Sequence, residues 1–319
     1  LCGFMNERSG VVNIGIEGMM LTAAFVAWWT AAIAAQFLPD LSIGIMGIKL
    51  PLLIGLALAI LAAMAVSAVH AWLSISVRAD QIISGTIINI FAVGITGYLN
   101  LLISQHSPPS AGQFQDLRLP SFLLDIPVLG PLLDSLIAVG PIALSMLISV
   151  IVLQVLLFRS RWGLRTRSVG EHPKAAETVG IDVIKLRYRN VILGGIFAGL
   201  AGAWLTLEFN ASFQNGMTAN RGFIALAAVI FGRWTPIGAF GGALLFVFFE
   251  ALGVAIRSDP PPGDLGVWLS GIQATYPSLY NNFFSSLPYV LTIIVLAGVV
   301  GRSVAPAADG QPYVKEGAT

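Results

Sequence analysis

Charge is what this chain has least of. Only 10% of its 319 residues are Asp, Glu, Lys or Arg, while 56% are apolar; an ordinary soluble domain carries roughly 25% charge. So few polar side chains cannot cover a globule of this size, which excludes a soluble enzyme and a disordered chain. The 17 basic and 16 acidic residues leave a net charge of +1, no field for nucleic acid. The single cysteine, Cys2, excludes an internal disulfide. Three histidines, His70, His106 and His172, fall on different elements, and H-E-x-x-H and Cys clusters are missing; no catalytic residue and no metal site is assigned. Without a G-x-S-x-G or a Gly-Lys dipeptide there is no nucleophile elbow and no P-loop. The expectation is a chain that is not an enzyme and binds no cofactor of its own.

What the chain has is apolar length. Mean hydropathy is +0.83, and apolar stretches run over 11–36, 50–77, 82–104, 135–158, 191–209, 222–256 and 283–301. Each nears or exceeds the roughly 20 residues that cross a bilayer as a helix. The expected fold is all-α: a polytopic transmembrane helical bundle with broken or re-entrant helices, one membrane domain over 1–319. The first run is too long for a signal-peptide core. A continuous helix over 222–256 would be about 52 Å long at 1.5 Å per residue, too long for one span. It is expected to break at Gly232-Arg233-Trp234-Thr235-Pro236, where Pro removes a backbone donor and Gly weakens the helix. Leu1 to Met5 reads as the last turn of a helix, so one more helix is expected before it.

The basic residues give sidedness, since cytoplasmic loops hold an excess of Lys and Arg. Eight of the 17 lie in 159–190: Arg159, Arg161, Arg165, Arg167, Lys174, Lys185, Arg187 and Arg189, against Glu171, Glu177 and Asp182. That loop is expected inside. The segment 105–134, with Arg118 against Asp116, Asp125 and Asp134, then falls outside, and Arg78 falls inside. A down-and-back pair at 222–256 leaves 257–282 outside and returns the tail 302–319 to the cytoplasm.

Charged groups within spans usually face an interior or a pathway, and irregular backbone persists there only where protein or a water-filled cavity surrounds it. Two places qualify. Ser9-Gly10-Val11-Val12-Asn13-Ile14-Gly15-Ile16-Glu17-Gly18 interrupts an apolar run and sets Asn13 and Glu17 at i,i+4; Arg233 sits at the other break. Paired interruptions of this kind mark midplane sites in secondary transporters. Thr86, Asn89, Thr96 and Asn100 form a polar stripe on 82–104, and Ser67, His70 and Ser74 another on 50–77. The pathway candidates are Asn13, Glu17, Thr86, Asn89 and Arg233. The structural alternatives stay open: Glu17 caps a neighbouring helix or pairs with Arg8, and the stripes are interhelical glue. Gly195, Gly199, Gly202 and Thr206 read as a close-packing stripe. Glu208 and Glu250 are given no role beyond ion pairing.

Within 159–190, residues 168–182 read as a short cytoplasmic helix. Pro173 suits its first turn, Ala175 and Ala176 are strong helix formers, and Gly180 suits its stop. Such a helix lies on headgroups or docks into a soluble partner.

Three stretches carry a resemblance: Glu7-Arg8-Ser9-Gly10-Val11-Val12-Asn13-Ile14-Gly15-Ile16-Glu17-Gly18-Met19-Met20-Leu21, Arg221-Gly222-Phe223-Ile224-Ala225-Leu226-Ala227-Ala228-Val229-Ile230-Phe231-Gly232-Arg233-Trp234 with Pro236, and Pro312-Tyr313-Val314-Lys315-Glu316. Together with Glu171-His172-Pro173-Lys174-Ala175-Ala176 and Gly180-Ile181, they resemble permease subunits of bacterial ABC importers in the branched-chain amino acid and simple-sugar permease superfamily, the nucleoside importer branch above all. The match runs from residue 7 to the C-terminus. In such permeases the first motif follows a complete transmembrane helix, in keeping with the helix expected before Leu1.

The resemblance implies a multi-pass protein of the bacterial cytoplasmic membrane that moves nucleosides. It also implies a separate ABC ATPase, a second homologous permease and an extracytoplasmic substrate-binding lipoprotein. The loop would couple to the ATPase through Glu171, Pro173, Ala175, Ala176 and Gly180. A ribose-like sugar is the alternative substrate, and a self-sufficient channel or ion-coupled carrier the rival mechanism.

Overall fold

The computed structural model describes residues 1–38, 42–43, 48–104, 110–116, 126, 139–258, 261–298 and 303–315. His106, Arg118, Asp125, Asp134, Arg302 and Glu316 lie outside the described residues, as do the ends of two expected spans, 135–138 and 299–301.

The chain is helical, with one two-stranded antiparallel pair, Ser42–Ile43 with Ile48–Lys49, among the described residues. The helices are α1 (Cys2–Glu7), α2 (Ile16–Phe37), α3 (Leu50–Ala71), α4 (Gln81–Ser104), α5 (Pro141–Arg159), α6 (Arg161–Glu171), α7 (Pro173–Thr178), α8 (Val183–Trp204), α9 (Arg221–Phe231), α10 (Pro236–Ser258), α11 (Asp264–Thr275) and α12 (Pro277–Gly298). A π-helical turn extends α3 over Trp72–Ser76 and α8 over Leu205–Phe209. Among the described residues six helices are long and apolar enough to cross a membrane: Ile16–Phe37, Leu50–Ser76, Gln81–Ile103, Pro141–Arg159, Val183–Phe209 and Pro236–Ser258. The expected all-α polytopic architecture is therefore present.

Several boundaries differ from the sequence reading. The first run becomes helical at Ile16, and residues 8–15 leave the helical path. The run expected to begin at 191 starts at Val183, because Asp182 caps it by accepting from the Lys185 amide at 2.9 Å. Lys185, Arg187 and Arg189 thus sit on helix, not loop. The short helix expected within 168–182 spans Pro173–Thr178 and follows a second one, α6, in the basic segment. The run 222–256 divides where expected, between Phe231 and Pro236. Residues 257–282 contain α11, which no sequence feature announced.

Two compact units result, Leu1–Phe223 with Pro306–Thr319, and Ile224–Ala305. In the first, α2, α3 and α8 form the core. The small-residue stripe on α8 lets backbones touch: a Cβ added at Gly202 would lie 2.2 Å from the Met20 carbonyl oxygen, and one at Gly199 2.7 Å from Ile60 Cα. Ser67 Oγ donates to the Val191 carbonyl at 2.6 Å and Thr206 Oγ1 to the Ala24 carbonyl at 3.0 Å, polar ties that need no partner from lipid. In the second unit α10 packs on α12. Tyr280, almost fully buried, donates its hydroxyl to the Ile256 carbonyl at 2.9 Å.

Candidate functional site

The discontinuity between α1 and α2 is held by side chains from α3 and α4. Val12 donates its amide to Gln81 Oε1 at 2.7 Å, and its carbonyl lies 3.0 Å from His70 Nε2. A carbonyl only accepts, so Nε2 carries the proton and Nδ1 accepts from Ser84 Oγ at 3.1 Å. Asn89 bridges the next turn: its Oδ1 accepts from the Gly18 amide at 2.7 Å and its Nδ2 donates to the Ile14 carbonyl at 3.0 Å. Gly18 permits this approach, since a Cβ there would lie 2.9 Å from Asn89 Cα.

Glu17 is buried, and both carboxylate oxygens are engaged. Oε1 accepts from the Asn220 amide at 2.9 Å and Oε2 from the Gly222 amide at 2.7 Å. These donors open α9, where a carboxylate complements the helix dipole. This is the capping alternative. Asn13 is fully buried, donates to Met19 Sδ at 3.6 Å, and has no partner for its Oδ1 among the described residues. Thr86 shares α4 with Asn89 but lies on its exposed side, donating to the Ile82 carbonyl at 2.9 Å. Arg233 belongs to the second unit, at the α9–α10 break, with φ 51° there and at Trp234. The structure thus brings Asn13, Glu17 and Asn89 together around residues 12–18. The sequence reading missed Gln81 as a ligand of the backbone and gave His70 no specific partner; the polar stripe was the available signal.

The second cluster joins the basic segment to the tail. Trp162 Nε1 donates to Asn190 Oδ1 at 2.9 Å, and Asn190 Nδ2 to Thr166 Oγ1 at 3.0 Å, fixing α6 on α8. Val169, Ala176, Val183 and Tyr313 form a buried apolar cluster. Of the coupling candidates, Glu171 ends α6, Pro173 opens α7, Ala175 is exposed, Ala176 is buried, and Gly180 takes φ 83° in the turn before α8. Glu171 Oε1 lies 3.7 Å from Arg8 Nη1, and its Oε2 accepts from the Ala307 amide at 3.2 Å. Arg8 therefore pairs with Glu171, not with Glu17.

Arg187 is only 2% exposed, a guanidinium buried under the tail. It donates from Nη1 to the Gln311 carbonyl at 2.9 Å and from Nη2 to the Ala308 carbonyl at 3.5 Å, with its Cζ 6.0 Å from the Tyr313 ring centre. Gly10 makes room for it: a Cβ there would lie 2.5 Å from Nη2. Burial pushes the nearby Asp309 carboxyl up to about 7, against the opposing pull of the Gly310 amide and Arg187.

Six membrane-length helices among the described residues, with buried polar ties holding an interrupted helix, define a polytopic membrane protein. The chain belongs to the family described as branched-chain amino acid transport system / permease component, whose model matches residues 1–296. It is 38% identical to the guanosine ABC transporter permease protein NupQ of Bacillus subtilis, over 99% of this chain and 91% of that one. It is 35% identical to the nucleoside ABC transporter permease protein NupC of Lactococcus lactis, over 98% and 91%. A putative glucose ABC transporter permease protein, TsgC13 of Haloferax volcanii, is 34% identical over 98% and 92%. No solved structure gives a significant match. The chain is a permease subunit of an ABC transporter, a multi-pass membrane component and not an enzyme. Its family implies ATPase and binding-protein partners.

Proposed function

We propose that the chain is the permease half of an importer that moves nucleosides across the bacterial cytoplasmic membrane. The observation that carries this is its 38% and 35% identity, over nearly its whole length, to permeases of guanosine and of nucleosides. The site chemistry is compatible with it. Around residues 12–18 the charged group is already engaged, His70 is bonded to Ser84 and to the Val12 carbonyl, and the side chains of Asn13, Gln81 and Asn89 are amides, which exchange hydrogen bonds with ribose hydroxyls without trapping the ligand. Asn13 keeps a buried acceptor that a hydroxyl would satisfy when the pathway opens. A sugar is the second reading, favoured by the 34% relative named for glucose. In cells expressing the whole transporter, unlabelled guanosine is expected to compete strongly with radiolabelled uridine uptake, and ribose, glucose and leucine not to. Competition by ribose or glucose alone would overturn the nucleoside assignment.

In this reading a second homologous permease completes the pathway, a lipoprotein delivers substrate, the chain binds no cofactor of its own, and the C-terminus is cytoplasmic. The helix α7, with Glu171, Pro173, Ala175, Ala176 and Gly180, couples the chain to the ATPase. ATP binding shifts the permease only if α7 contacts the two ATPase states differently. Gly180 has φ 83°, which Pro cannot adopt. Glu171→Ala combined with Gly180→Pro is expected to abolish uptake while the permease still reaches the membrane; wild-type uptake would rule out this coupling role.

A further inference from the structure

In the tail motif Pro312-Tyr313-Val314-Lys315 only Tyr313 turns inward. Tyr313 is buried in the cluster of α6, α7 and α8, and its hydroxyl donates to Glu177 Oε2. Pro312, Val314 and Lys315 are exposed, Val314 at 46%. They form one side of a groove of about 840 Å³ whose other side is Pro173, Lys174 and Ala175 of α7. The tail's register against α7 is fixed at both ends. Arg187 holds the Ala308 and Gln311 carbonyls, and the Ala308 amide donates to the Gly170 carbonyl at 2.9 Å. A tail needing only an anchor has no reason to display Val314 beside an exposed Ala175. The groove therefore joins apolar side chains from two distant stretches of sequence, with a lysine on each side; Glu171, the acid in its lining, is engaged by Arg8 and the Ala307 amide.

From this geometry we infer that the tail is the second wall of the ATPase dock. Residues 312–315 and α7 together receive an apolar segment of the ATPase subunit that carries acidic side chains to meet Lys174 and Lys315. Arg187 and Tyr313 are positioning residues that make α7 and the tail move as one piece. This rests on the reading of α7 as the coupling helix.

The test uses the complete transporter, purified through a tag on this chain. Val314→Asp with Lys315→Glu alters only exposed groove side chains, and is expected to lower ATPase recovery at least tenfold while the second permease still co-purifies. Recovery at the wild-type level would overturn the inference. Ala175→Asp separates the two readings: if it releases the ATPase and the tail variant does not, only the tail assignment fails. If neither releases it, the coupling role of α7 fails, and the tail assignment with it. A photo-crosslinking residue at 314 is expected to join the ATPase; adducts to lipid or to another permease alone would overturn the choice of occupant. For positioning, Tyr313→Phe is expected to leave ATPase recovery unchanged and to raise at least threefold the ATP hydrolysed per substrate moved. Glu177→Gln, which keeps an acceptor, should stay near wild type. An unchanged ratio in Tyr313→Phe would remove Tyr313 from the coupling.

Discussion

Between α1 and α2, residues 8–15 leave the helical path and are held by side chains reaching from α3 and α4. At Gly232–Thr235 the chain also leaves the helical path, and there most of the backbone bonds stay local. There the Arg233 and Trp234 amides donate back to Ile230 and Val229 at 3.1 Å, Thr235 Oγ1 donates to the Gly232 carbonyl at 2.8 Å, and it accepts from the Gly238 amide at 3.2 Å. In the first interruption the amides of Arg8 to Val11 bond back to Phe4, Asn6 and Glu7, but Val12, Ile14 and Gly18 depend on remote side chains, so each loss there strands groups with no nearby substitute. In the second these backbone bonds run to residues within a few positions, with one remote addition, Ser303 Oγ donating to the Ile230 carbonyl at 2.7 Å, so most of the turn re-forms around a defect. Remote support is the costlier kind to damage, and it ties the shape of the interruption to the packing of the helices that supply it.

The comparison is sharpest at Glu17. Glu17→Ala strands a buried amide, Gly222, and a part-buried one, Asn220, at the start of α9 and is expected to cost about 3 kcal/mol, read as a loss of several degrees in thermal unfolding in detergent. Glu17→Gln keeps one acceptor oxygen and should lose about half as much while transporting substrate. If the carboxylate instead serves the substrate directly, Glu17→Gln will abolish uptake at unchanged thermal stability, and the capping account fails. Next in size is Asn89→Leu, which deprives the Gly18 amide and the Ile14 carbonyl of their partner together. The expected cost is about 2 kcal/mol, checked by the same unfolding measurement. A loss near zero would mean that the segment 8–15 finds other partners as readily as the second break does.

This difference also decides what could be read in advance. The break at Gly232–Pro236 announced itself because Gly and Pro act on their own backbone. The interruption over Ser9–Gly18 was marked by its glycines in the same way, but neither the start of α2 at Ile16 nor the groups that hold the segment open could be read locally. The bonds that hold it open come from Val12 to Gln81, Val12 to His70 and Ile14 to Asn89, separations of 69, 58 and 75 residues. Polar residues on α4 were visible as a stripe, but nothing local distinguished a residue lining a path from one bracing a backbone. Arg187 misled for a related reason: its charge placed it in a loop, and the carbonyls that bury it lie 121 and 124 residues away. The apolar runs and the break were legible because their physics is local.

The tail extends the remote mode of support to a segment outside the spans, where pH can test it. With the Asp309 carboxyl pushed up to about 7 by burial, the docked tail holds a proton that the released tail, with an ordinary carboxylate, gives up. Docking is then fully supported below about pH 4 and weakens as pH rises toward 7 and through it. Between pH 6 and 8 the docked population should fall about tenfold relative to the released one. Limited proteolysis of the tail across that range reads this directly. Asp309→Asn should flatten the profile, and a flat wild-type profile would show that Arg187 holds the tail without regard to Asp309.

The smallest effect is expected at the second break, where most backbone bonds are local. Thr235→Ala removes one hydroxyl that donates to Gly232 and accepts from Gly238, the position a capping residue takes at the start of α10. Loss of such a cap costs about 1 kcal/mol. The backbone bonds of Arg233 and Trp234 do not depend on it, so the turn should persist, and thermal unfolding should shift by less than in Asn89→Leu. Thr235→Ser, which keeps the hydroxyl, should be close to wild type. A loss in Thr235→Ala as large as that of Glu17→Ala would mean that the local bonds of the second break are no easier to replace than the remote ones of the first, and the contrast between the two interruptions would collapse.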